Sequence, residues 1–227
     1  MSGVREQKKQ QTRKAIIDAA VKLFTEKGFE QTSMDELARA AGVGKGTIYG
    51  YFKAKEEIFL AYCEAELEFA FAALDRKIDE EASLIDQLVA YMMGQITFVT
   101  ENREFGRIFA REMTFPGENT RLRSRDLDMR YLNKLGEVLG RAQLRGELPA
   151  ESELLLLIAH LHALYILVLS SIYSGDVTSL ENAKIFCRSL VLQALHGPAA
   201  IARAPVDVQT GWQELRQQFL EQRKLEM

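Results

Sequence analysis

Proline is scarce, with four residues in a chain of 227. So few breakers exclude a protein of short strands and tight turns and favour long helices. Two cysteines, Cys63 and Cys187, are too few for a disulfide scaffold and lack metal-ligand spacing, so a reducing cytoplasm is expected. Residues 1–11 are polar and carry no apolar stretch, which argues against a signal peptide. Convincing strand alternation, internal repeats and low-complexity tracts are missing too. No Ser/His/Asp set, glycine-rich phosphate loop or carboxylate pair stands out. No catalytic residue is therefore nominated, and neither a cofactor nor a metal is expected.

What is present is a globular balance of 47% hydrophobic and 27% charged residues, enough for a substantial core. The net charge of −3 argues weakly against nucleic acid, but it averages two unlike parts. Residues 1–55 hold eleven Lys or Arg against six acids, net +5, and the remainder holds 18 against 26, net −8. A basic head on an acidic body suits nucleic-acid binding, because phosphate neutralisation supplies most non-specific affinity.

Helical periodicity begins at Thr12, with Ile16, Ala19, Ala20, Leu23 and Phe24 on one face until Gly28. Ser33 and Glu36 form a capping box for a second short helix, and Gly42 allows a tight turn after Ala41. A third helix spans about Lys45 to Phe52 and docks through Ile48 and Phe52. Three short helices with a glycine turn before the last make a helix-turn-helix arrangement. Further helices are read from Ala54 to Lys77, Ser83 to Thr100, Glu104 to Thr114, Asn119 to Gln143 and Leu154 to Tyr173. Thr178 and Glu181 cap the last core helix, which ends at Gly197. An Ala/Pro linker from Pro198 to Pro205 precedes a terminal helix on Trp212, Leu215 and Phe219. The chain reads as all-α: residues 1–55 a DNA-binding domain, 56–197 a larger helical domain, and 198–227 a linker with an extra helix.

The stretch QTSMDELARAAGVGKGTIYGYFKAKEEIF, residues 31–59, resembles the DNA-binding domain of TetR-family transcriptional regulators. The T-S-M-x-E-L-A-x-A-A-G-V run, the G-x-I-Y-x-Y-F helix and the K-x-K-E-E-I-F that follows carry the likeness. It is dense over about residues 12–60. With Ile48 and Phe52 turned inward, Lys45, Thr47 and Tyr49 are left for a major groove, while Gly44 and Gly46 admit close backbone approach. Thr32 and Ser33 start the second helix, where N–H groups favour a phosphate, although Ser33 equally suits plain capping. The resemblance implies that Tyr49 and Tyr51 donate hydroxyls to phosphates and that Lys55 clamps the backbone. Two positions depart from the pattern. Ala54 stands where a Ser commonly caps the fourth helix, and Gly50 where a bulkier polar residue is frequent, so few side chains remain for direct readout.

The resemblance further implies a cytoplasmic homodimer that binds a double-stranded DNA operator and senses a small molecule. Its last two core helices would pair with their symmetry mates through Leu161, Leu164, Val168, Leu180, Ala183, Cys187, Leu190, Val191 and Ala194. The apolar run at Leu154–Tyr173 approaches bilayer length, yet two histidines interrupt it and acids flank it. It therefore reads as a helix buried between domain and partner subunit, with no membrane involved. His160 and His162 lie about 200° apart around a helix and cannot chelate one metal from one face. Tyr91, Met92, Gln95, Phe98, Phe105, Phe109, Met113, Met129, His162 and Tyr165 are candidates to line a pliable cavity for an apolar or aromatic effector. A DNA-binding adaptor that docks a protein partner and senses nothing is the rival reading.

Overall fold

A computed structural model describes residues 2–76, 79, 81–197 and 199–225. Its helices are α1 (Ser2–Lys27), α2 (Met34–Ala40), α3 (Lys45–Tyr51), α4 (Lys55–Asp75), α5 (Leu84–Glu101), α6 (Arg103–Thr114), α7 (Arg121–Leu144), α8 (Leu154–Ser174), α9 (Leu180–His196), α10 (Ala200–Arg203) and α11 (Val206–Leu225). The expected all-α architecture holds, with no strand among the described residues. Three local differences have simple causes. Helix α1 begins ten residues before Thr12, because the Lys-, Gln- and Arg-rich stretch is intrinsically helical although none of residues 4–11 is buried. The α9 cap is Ser179, whose Oγ accepts from the Asn182 N–H at 3.1 Å, one residue later than Thr178. The short α10 interrupts the Ala/Pro linker, whose Pro198 lies outside the described residues, as does Lys77 beyond α4.

Contacts divide the chain into two compact units, one of residues 1–69 and 102–128, the other of residues 70–101 and 129–227. The first is centred on aromatic rings. Phe24 and Phe29 lie 4.8 Å apart, and Phe105 of α6 meets Phe59 and Tyr62 of α4 edge-on at 5.5 and 6.1 Å. Such pairs add about 0.5–1.5 kcal/mol each beyond the apolar area they bury.

In the second unit α9 is central. It is packed by α5, α8, α10 and α11, so Ala183, Cys187 and Val191 are fully buried within the one chain. The Cys187 thiol lies 3.8 Å from the Met92 sulfur, and burial pushes its pKa up to about 12. Trp212 of α11 stacks on Phe186 of α9, and Leu215 is buried beneath it. Leu161 and Val168 of α8 are likewise fully interior. These five expected interface residues, Leu161, Val168, Ala183, Cys187 and Val191, thus lie in the protomer's own core, those of α9 covered by α5, α8, α10 and α11. Helix α8 is long and apolar enough to cross a membrane by composition, but only 28% of its most apolar window is buried inside the chain. Its exposed stripe runs through Leu156, Ala159, His160, Ala163 and Leu167.

Candidate nucleic-acid interface

The turn between α1 and α2 is set by Gly28, whose φ of +92° suits a residue without a Cβ. A Cβ there would lie 2.5 Å from Gln31 Oε1. Next comes the full capping box: the Glu36 N–H donates to Ser33 Oγ at 3.3 Å, and the Ser33 N–H donates to Glu36 Oε2 at 3.0 Å. Lys27 donates to the same carboxylate at 2.6 Å, and together these donors hold the Glu36 pKa down at about 2. Gly42, with φ +66°, reverses the chain, and the Val43 N–H returns to the Ala38 carbonyl. Helix α3 follows, and Ile48 is its single buried residue.

Burying Ile48 turns the opposite side of α3 outward. Gly44, Lys45, Gly46, Thr47, Tyr49 and Gly50 are all exposed, and Tyr51 is half-buried. Lys45 Nζ rests on Asp35 of α2 at 2.9 Å, which raises its pKa. Lys53 closes the C-terminus of α3 by donating to the Tyr49 carbonyl at 3.0 Å. The serine missing at Ala54 is partly compensated, since Glu57 accepts from the Lys53 N–H at 2.8 Å.

Two expected contact residues face inward. Thr32 is 2% exposed, and its hydroxyl donates to the Gly28 carbonyl at 2.8 Å. Lys55 Nζ donates to the carbonyls of Phe29 and Glu30 at 2.7 and 3.2 Å and sits 4.5 Å from the centre of the Phe29 ring. Phe29 and Glu30 lie in the turn that follows α1, so these contacts let Lys55 lock the α1–α2 turn. Glu104 of α6 completes the lock by accepting from the Phe29 N–H at 2.9 Å, and Arg111 pairs with Glu30 at 3.3 Å. Neither α6 residue was nominated from sequence, since a contact across 75 positions leaves no local pattern.

The ten cavity candidates are divided between the two units. Phe105, Phe109 and Met113 fall in the first unit, and the other seven in the second. Phe105 belongs to the aromatic core, Met92 to the α5–α9 contact, and Met129 is largely exposed. Tyr131 of α7, His162 and Tyr165 of α8 form a ring cluster with centroids 5.2 to 6.1 Å apart. The Gln95 side-chain oxygen is buried and has no hydrogen-bond partner among the described residues. An open groove of about 780 Å³ between α5 and α9 is lined by Val89, Met93, Leu180 and Ile185 with the Asp86–Arg188 ion pair, and by none of the ten.

Residues 16–62 match the model of bacterial regulatory proteins of the tetR family. The chain is 30% identical over 150 residues to the HTH-type transcriptional regulator SrpR of Pseudomonas putida, covering 64% of this chain and 67% of that one. It is 27% identical over 133 residues to the fatty acid metabolism regulator protein of Bacillus subtilis, covering 59% and 69%. In three dimensions it is similar to the transcriptional regulator FadR from Bacillus subtilis, solved in complex with stearoyl-CoA. That match has a TM-score of 0.65 and 22% identity over 81% of this chain and 98% of that one.

Proposed function

Since this chain belongs to the tetR family of transcriptional regulators, we propose that it is a cytoplasmic, homodimeric repressor that binds a palindromic operator and is released by a small, mostly apolar effector. The observation that carries the reading is the α2–Gly42–α3 unit, which buries Ile48 and exposes Lys45, Thr47 and Tyr49. In it α3 enters the major groove, Gly44 and Gly46 permit close backbone approach, and the Tyr49 and Tyr51 hydroxyls reach phosphates. Thr32, Ser33 and Lys55 act from behind by fixing where α2 and α3 lie. Residues 1–55 read DNA, residues 56–197 carry the effector site and the dimer contact, and residues 198–227 form an appendage on α9.

The exposed stripe of α8, joined by the partly exposed Leu164 and by Leu190 and Ala194 of α9, supplies the symmetric contact. Two-fold related heads then meet half-sites about one helical turn apart, and an effector works by favouring a spacing that no longer fits. The buried Gln95 oxygen, Tyr165 and His162 are polar anchors of the kind an otherwise apolar ligand site needs. Long-chain acyl thioesters are the first class to test, because the FadR relative was solved with stearoyl-CoA.

Anisotropy titration of an operator selected from a random DNA pool, against a scrambled duplex, tests the reading. Preference for the selected duplex, lost on adding effector, is expected. Equal affinity for both, or no binding at low salt, overturns it. Phe115 and Leu122, 79% and 73% exposed, favour the adaptor as a second reading. A variant with both changed to Ser that binds operator normally but no longer regulates in cells would select it.

A further inference from the structure

In the first part of α1, residues 4–11, every one of the eight residues is exposed, and only Gln10 borders a groove shared with α4. At 1.5 Å per residue this is a helical arm about 12 Å long. We propose that the arm is a second DNA-binding element, laying Arg5, Lys8 and Lys9 along phosphates that flank the bases read by α3. The inference rests on the DNA-binding reading above and adds a site to it.

Spacing puts the three cations on one side of the helix, at i, i+3 and i+4. That side is not an arbitrary one. Ile16 follows Arg5, and Ala20 follows Lys9, by eleven residues each, which is three turns to within about 20°. Ile16 and Ala20 are both buried, so the arm's cationic face continues the face by which α1 packs onto the rest of the head. Where the packing ends the cations begin. Arg13, four residues after Lys9, lies 5.4 Å from the centre of the Phe52 ring at the C-terminal end of α3. The stripe therefore starts beside the recognition helix and leads away from it.

Charge completes the case. Lys14, Lys22, Lys27 and Lys45 each pair with a carboxylate, whereas Arg5, Lys8 and Lys9 have no ion pair among the described residues. Only Glu6 opposes them within the arm. Val4 is the arm's one apolar residue, so it has no hydrophobic face for a membrane surface or a partner helix. A row of cations without ion pairs on an exposed stretch of helix is suited to a polyanion, and the adjoining head selects DNA.

The test replaces Arg5, Lys8 and Lys9 together by Gln in the full chain, which keeps helix propensity and removes charge. Binding to a random-sequence duplex is followed by anisotropy across a salt series, and hydroxyl-radical footprints are taken on the selected operator. Each lost phosphate contact lowers the slope of log K against log salt by about 0.9, so the dimer should lose at least about 2. Protection should shrink at both outer edges of the footprint while its centre and the preference for the selected duplex persist. Thermal unfolding should not change, because the three replaced side chains are exposed. A parent and variant with equal slopes and footprints overturn the arm and leave the head's role intact. A parent that binds neither duplex overturns the DNA-binding reading itself. A clear drop in melting temperature would show the arm to be part of the folded core instead.

Discussion

Replacing Ile48 by Ala separates what holds α3 in place from what α3 reads. The helix has seven residues, too few to be stable alone, and Ile48 is the one it buries, with no exposed surface. Ile→Ala removes three carbons, about 2.4 kcal/mol of transfer free energy at 0.8 per methylene. Incomplete collapse around the gap adds to this, for a total of about 3–4 kcal/mol within the usual range for such changes. Against a domain stability of about 5–15 kcal/mol, most molecules stay folded in buffer, but α3 is no longer firmly docked. DNA affinity should therefore fall although no DNA-facing atom has changed. Thr47→Ala, one residue away on the exposed side, should alter stability by less than about 0.5 kcal/mol and still weaken operator binding. Urea unfolding followed by far-UV circular dichroism gives the stability change, provided the denaturant slope is shared. Anisotropy gives the affinity. If Ile48→Ala cost under about 1 kcal/mol, or Thr47→Ala cost as much as Ile48→Ala, the two faces of α3 would have been assigned the wrong way round.

Lys55→Ala should cost about 1–3 kcal/mol, from a cation–π contact and two charge-assisted hydrogen bonds, and leave the salt dependence of DNA binding unchanged. A slope lower by about 0.9 per chain would return Lys55 to the phosphates. Glu36 has its folded pKa depressed to about 2, so its stabilisation is fully present above its unfolded value near 4.5 and is lost as pH falls from there through 2. Melting temperatures of wild type and Glu36→Gln should converge across that window, and a gap that stays constant with pH would refute the capping-box account. Leu167→Glu, on the exposed stripe of α8, should shift the protein to monomer in sedimentation velocity with its helix content intact. An undisturbed dimer would place the symmetric contact elsewhere.

The head was legible because its determinants are local. Ser33 and Glu36 cap across three residues, Gly42 turns within one, and Ile48 and Phe52 recur at helical spacing, so a linear reading finds each of them. Lys55 was placed on the wrong side because its partners, the carbonyls of Phe29 and Glu30, lie about 25 residues back and carry no side-chain signature. The same limit explains α9. Its apolar stripe through Ala183, Cys187 and Val191 was visible, but periodicity reports that a face is buried and is silent on what buries it. Here α9 is covered within its own chain by α5, α8 and α10 and by α11, where Trp212 stacks on Phe186. The ten cavity candidates lie on four helices, α5 to α8, and a linear pattern says nothing of which of them meet.

Net charge gave the right direction for the head and overstated its supply of cations. Of the eleven Lys and Arg in residues 1–55, Lys55 is held on backbone carbonyls beneath the surface, Lys53 closes α3, and Arg13 lies over Phe52. Lys14, Lys22, Lys27 and Lys45 are paired with acids of the same head. These last pairs are exposed, and an exposed pair is weak enough to be exchanged for a phosphate. Lys45 can leave Asp35 in this way without disturbing the fold, whereas Lys27 cannot leave Glu36 without loosening the cap of α2. The cations that need give up nothing are Arg5, Lys8 and Lys9 on the arm, with Arg39 held only by the Asp35 carbonyl. Salt dependence should therefore track the arm more closely than the recognition helix, while base preference tracks Lys45, Thr47 and Tyr49. Affinity and specificity would then be carried by different segments of the same head, and a variant that changes one should leave the other nearly as it was.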